Sequence, residues 1–142
     1  MISLIIAGMA SLALPQAAPD AAPVARAALD VQIPELVGTS ADPTCGGKPA
    51  IAQQAFCVVT TMAAMQGQAD QYDAAFKSQG WIAAGGSNNL TVYVRRKADG
   101  GCDAFQLLAF ADDTAVPAPA ARANFAFASI PGDVCTTTAP AA

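Results

Sequence analysis

Four cysteines, Cys45, Cys57, Cys102 and Cys135, restrict the folds open to this chain more than any other feature. An even number in a chain of 142 residues is the usual sign of two disulfides in a small exported domain. A four-thiolate zinc site is the rival. Such sites present two ligands from one turn through close pairs, whereas here the smallest gap between cysteines holds eleven residues. Four cysteines allow three pairings, so local structure has to choose.

The choice comes from the segment that follows Trp81, where a helical period gives way to alternation. Trp81–Ala84, the turn GGSNN, Leu90–Arg96, the turn ADGG and the run CDAFQLLAF read as three strands joined by hairpins. Asp99-Gly100 is a strong two-residue hairpin signal. A loop of that length sets Val94 opposite Phe105, Val92 opposite Leu107 and Leu90 opposite Ala109, leaving one face uniformly apolar. A shift of one residue would set Val94 against Ala104 and Val92 against Gln106. The same register places Arg96 opposite Asp103, where cross-strand opposite charges attract, and sets Lys97 against Cys102. Asn124–Ile130 also alternates and is expected as a fourth strand beside the third. Running antiparallel, its end returns to Cys102, and the turn IPGDV delivers Cys135. The expected disulfides are therefore Cys102–Cys135 and Cys45–Cys57, the latter tying the loop before the first helix to that helix.

Two helices are expected upstream. Pro49 suits a first helical position, Ile51, Ala55, Val58, Met62 and Met65 recur at helical spacing, and Gly67 offers a stop. A second helix is expected from Asp70 as cap to Gly80, with Tyr72, Ala75 and Phe76 on one face and Asp73 four residues before Lys77. If Gly80 is the left-handed residue after that helix, Phe76 and Trp81 fall where the end motif places its hydrophobic contact. The expected fold is thus α+β, two helices packed on a three- to four-stranded antiparallel meander, disulfide-stabilised.

From Met1 to Pro19 no side chain is charged, and Ile2–Leu14 has the length of a secretory signal core, short of the roughly 20 apolar residues of a membrane span. No Lys or Arg precedes it. Residues 1–18 are expected to form a signal peptide. Residues 19–40 are expected to form a Pro/Ala-rich tether with a short extended segment around Leu29, Val31 and Ile33, residues 41–136 the domain, and residues 137–142 a disordered tail. The first cysteine after the apolar run is Cys45, which disfavours a lipid anchor. The mature form is expected to be soluble, secreted or periplasmic, and without membrane contact.

Charged residues make up only 13% of the chain and the net charge is −4, which excludes the strongly basic face of a general nucleic-acid binder. There is no histidine, so serine–histidine and cysteine–histidine catalysis are excluded within the chain. Arg95, Lys97 and Tyr93 are the candidate ligand or partner contacts, set against the plainer reading of a solvated hairpin end. Cys102 beside those bases has the setting of a low-pKa thiol, but an available disulfide partner outweighs that reading. Asp112 and Asp113 are neighbours in a loop, not carboxylates facing each other across a site. TCGGKP lacks the first glycine and the Ser or Thr of a phosphate loop, having Asp42 and Pro49 in those places. Asn89-Leu90-Thr91 is a formal glycosylation sequon.

These features point to an exported module without catalytic activity, metal or cofactor, binding a protein or small-molecule partner of unknown identity. The alternatives are an enzyme using Cys or carboxylates, and an envelope-associated structural protein held by an uncleaved N-terminal anchor.

Overall fold

The computed structural model of the protein describes residues 31–114 and 116–135. The expected signal segment, residues 19–30 of the tether and the expected tail lie outside the described residues. The elements are β1 (Ser40–Ala41), α1 (Pro49–Ala52), β2 (Phe56–Thr61), α2 (Met65–Ser78), β3 (Ile82–Ser87), β4 (Leu90–Arg96), β5 (Cys102–Ala111) and β6 (Arg122–Ile130). The six strands form a single antiparallel sheet in the order β1-β2-β6-β5-β4-β3.

The expectation of two helices on a three- to four-stranded meander is therefore corrected. The meander β3 to β6 exists, but β6 also pairs with β2 along six residues and β1 extends that edge. The helix expected from Pro49 to Met65 ends at Ala52, and Phe56–Thr61 is a strand. The segment FCVVTT is built of aromatic and β-branched residues that suit a pleated surface, and alternation sends Phe56, Val58 and Thr60 to one face and Cys57, Val59 and Thr61 to the other. Val58 is buried under either assignment, which is why its helical spacing misleads.

Helix α2 begins at Met65, runs through Gly67 and holds Asp70 in its interior, where the Gln66 amide donates to the Asp70 carboxylate at 3.1 Å. Its C-terminal end follows the expected pattern. Gly80 is left-handed at φ +85°, the Gly80 N–H donates to the Lys77 carbonyl, and the Trp81 N–H donates to the Phe76 carbonyl at 3.1 Å. Asp73 and Lys77 form an ion pair at 2.6 Å.

The β4–β5 register differs from the expected one by a single residue. Tyr93 lies opposite Phe105, Val94 opposite Ala104 and Val92 opposite Gln106, so Arg95, not Arg96, faces Asp103, and Arg96 faces Cys102. The loop has three residues, with the Gly100 N–H donating to the Lys97 carbonyl and the Lys97 N–H to the Gly101 carbonyl. Left-handed backbone falls on Gly100 at φ +94° and Gly101 at +77°, while Asp99 is spared it. This register also sends Tyr93 and Phe105 to the helix side of the sheet, where aromatic burial is largest.

The sheet is covered from both sides. Helix α2 lays Tyr72 and Phe76 onto Phe105, Phe125 and Phe127, with Tyr93, Trp81, Leu107 and Val58 completing the core. Val31 and Ile33 are 2% and 4% exposed in this same core, so the packed unit reaches back at least to Val31. On the opposite face Ile51 and Ala52 of α1 pack with the Cys45–Cys57 disulfide against Ala126, Leu108 and Phe110. Cys57 is thus held on a strand rather than on a helix. Strand β3 is exposed along its whole length as the far edge, and a Cβ on Gly86 there would run into the Leu90 carbonyl.

Candidate functional site

The three candidate contacts do not share a surface. Tyr93 is 2% exposed, and its hydroxyl donates to Asp73 Oδ1 at 3.1 Å. Burial, followed by the Asp73 charge, holds the phenol far above its ordinary pKa. Arg95 lays its guanidinium over the Trp81 ring at 4.4 Å and donates to the Gln79 carbonyl at 3.4 Å. Both side chains are on the helix side of the sheet and close that end of the core. Lys97 is exposed at the hairpin end.

All four cysteines are oxidised, as Cys45–Cys57 and Cys102–Cys135, in the pairing expected from the strand order. A nucleophilic role for Cys102 has no thiol to act through in this state. Asp112 accepts from the Thr114 N–H at 3.1 Å and the Thr114 hydroxyl at 2.9 Å, bonds that hold its carboxyl below the ordinary range. Asp113 pairs with Lys48 of TCGGKP. Asn89 is exposed on the β3–β4 turn, and its side-chain amide donates to the Ala109 carbonyl at 3.1 Å. Among the described residues no group of three or more Cys, Asp or Glu side chains is placed to hold a metal ion. No helix there is long and apolar enough to cross a membrane.

TCGGKP is organised by Asp42. One carboxylate oxygen accepts from the Thr44 N–H at 2.9 Å and the Thr44 hydroxyl at 2.6 Å, and the other accepts from the Gly46 N–H at 2.8 Å, with Arg122 3.9 Å away. This carboxylate holds the loop in the left-handed turn, Cys45 at φ +50° and Gly46 at +65°, that delivers Cys45 to Cys57. Burial pushes the Asp42 carboxyl up, but the Thr44 and Gly46 bonds and Arg122 together outweigh it, and its pKa lies below the ordinary 3.8. A depressed folded pKa contributes stability that is present above the unfolded value and is lost as pH falls through the folded value. Urea midpoints of the native protein should therefore drop between about pH 5 and pH 2 more steeply than those of Asp42→Asn, which should itself cost about 1–3 kcal/mol at neutral pH. Parallel acid profiles for the two proteins would show that Asp42 has no such role.

A cleft of about 460 Å³ lies between the segment from Ile33 to Ala41 and strand β2. Ile33, Leu36, Phe56 and Val58 supply its apolar wall, Thr39 and Ser40 supply hydroxyls, and Glu35 is the one titratable lining side chain among the described residues. The chain is shaped there by Thr39, whose hydroxyl donates to the Leu36 carbonyl at 2.8 Å and accepts from the Leu36 N–H at 3.3 Å. Ser40 and Ala41 then pair with Val59 and Val58. Two smaller clefts, of about 300 and 210 Å³, lie beside the start of α2 and beside α1.

None of the cleft residues is a candidate contact in the sequence. Their signal was the β-branched run at Phe56–Thr61, which assigns Val58 to a strand and so creates an edge for the preceding segment to pair with. The arrangement joins apolar surface, two hydroxyls and one carboxylate, a set suited to holding an amphipathic molecule. No family model matches the chain, and neither a curated protein nor a solved structure matches it.

Proposed function

We propose that this protein is an exported, non-catalytic binding module that takes a small molecule with an apolar body and a cationic head into the cleft between residues 33–41 and β2. The single observation that carries the proposal is the cleft itself. Its volume falls within the range of small-molecule sites, and its wall sets apolar side chains beside a nearly equal share of polar surface that could orient a ligand. Glu35, the one ionisable lining group among the described residues, favours a cationic head, as does the net charge of −4. Export is supported by the apolar segment Ile2–Leu14 and by the two disulfides, which persist in oxidising compartments.

Titration with a short-chain alkyltrimethylammonium, followed by backbone amide NMR, tests this function. Shifts should concentrate at Leu36, Thr39, Ala41 and Val58. Ala41→Trp, which fills the cleft from an exposed position, should abolish them while leaving the melting temperature within a few degrees. Glu35→Gln should weaken the ammonium ligand and leave a neutral alcohol of the same length unaffected. Shifts spread evenly over the surface, or unchanged in Ala41→Trp, would refute the assignment.

A further inference from the structure

We propose an internal water site beneath the turn at residues 37–39, shared by the side chains of Thr60, Gln68 and Tyr72. These residues are 5%, 4% and 0% exposed. Thr60 Oγ1, Gln68 Oε1 and the Tyr72 hydroxyl are buried without a hydrogen-bond partner among the described residues. Leaving three such groups unsatisfied is costly, and buried polar atoms in folded proteins are almost always paired with protein or ordered water.

The fold brings the three together. Thr60 lies on the helix side of β2, opposite Ala123, and continuing the β1–β2 register sets it against Thr39. Gln68 and Tyr72 stand one turn apart on the buried face of α2. Gln68 is held over the same turn by its Nε2, which donates to the Val37 carbonyl at 3.0 Å, leaving its oxygen as the free end. Tyr72 packs edge-on against Phe125 at 5.4 Å and Phe127 at 5.0 Å, the strand partners of Val58 and Phe56. Its hydroxyl stands near that of Thr39, which partly offsets the rise that burial imposes on the phenol's pKa, but no hydrogen bond closes between them.

The donor and acceptor count suits one water molecule. Gln68 Oε1 only accepts, whereas the Thr60 and Tyr72 hydroxyls can each donate. A water that donates to Gln68 and accepts from both hydroxyls satisfies all three, within the two to four partners usual for buried water. Its remaining proton points to Thr39 Oγ1, which keeps a lone pair beyond its bond from the Leu36 N–H. Thr39 also lines the cleft, so the proposed site adjoins it. The site stands whether or not the cleft binds a ligand.

A crystal structure of the full chain at high resolution should show a water oxygen within about 3.2 Å of at least two of the three side-chain oxygens. Direct bonds among the three groups, or no density between them, would overturn the proposal. Thermal melts supply an independent readout. With the water present, Tyr72→Phe and Thr60→Val each remove a partner and should each lower the melting temperature. The combination Tyr72→Phe, Thr60→Val, Gln68→Leu should lose less than the sum of its single changes. If the groups are instead dry and unpaired, the single changes remove unsatisfied polar atoms and the melting temperature should rise, which would reject the site.

Discussion

Phe76→Ala is expected to destabilise the protein by about 3–5 kcal/mol, the range for truncating a fully buried aromatic. Phe76 is 0% exposed at the centre of the helix–sheet contact. Its ring meets Phe105 at 4.9 Å and Tyr93 at 5.2 Å edge-on, and lies 6.0 Å from both Tyr72 and Phe127. Aromatic pairs of this kind add about 0.5–1.5 kcal/mol each beyond the area they bury. The same residue supplies the carbonyl that closes the end of α2 onto Trp81, so the cavity opens where the helix is anchored. For a unit of this size the loss should lower the melting temperature by at least about 12 °C. Val37→Ala, at a position 98% exposed, should stay within about 0.5 kcal/mol and serves as the control. A loss below about 1 kcal/mol for Phe76→Ala would mean that α2 does not dock on the sheet as described.

Removing the Cys102–Cys135 disulfide is the second large effect. It closes a sequence separation of 33, against 12 for Cys45–Cys57. By the chain-entropy relation the longer loop is worth about 4 kcal/mol and the shorter about 3. Cys102→Ala with Cys135→Ala should therefore lower the urea-derived stability more than Cys45→Ala with Cys57→Ala, and the difference should vanish when all proteins are reduced. The native protein should take up no alkylating reagent before reduction. The C-terminal segment should stay near β5 even without the bond, because Asp133 Oδ1 accepts the N–H groups of both Cys102 and Cys135 at 2.9 Å. Reactive thiols in the unreduced protein, or equal losses for the two pairs, would contradict this account.

Features governed by short stretches of chain were legible before any tertiary structure. The glycine-terminated end of α2 needs only six consecutive residues, and Gly80 adopts the left-handed conformation that Phe76 and Trp81 imply. The alternation of β4, β5 and β6 and the return of β6 toward Cys102 were equally local, and they were sufficient for the disulfide pairing. Strand β2 was not legible. Ile51, Ala55, Val58, Met62 and Met65 satisfy a helical spacing, and a short apolar run carries both periods until a neighbour chooses one. That neighbour is β6, more than sixty residues away along the chain. The cleft was hidden by the same misassignment, since its wall needs Phe56 and Val58 on a strand beside which the segment from Ile33 to Ala41 can pack.

The β4–β5 hairpin divides the two kinds of information within one stretch. The sequence alone determined that the chain reverses near Asp99-Gly100, because glycine there accepts the left-handed backbone a turn requires. Only the tertiary structure decided the register. Both a two-residue and a three-residue loop can close this hairpin, but only the three-residue loop sets Tyr93 opposite Phe105 and sends both rings into the aromatic core together. Arg95 follows the same choice and stacks on Trp81. Local propensity set where the chain turns and where it is stapled, and burial against α2 and β6 set which residues face each other.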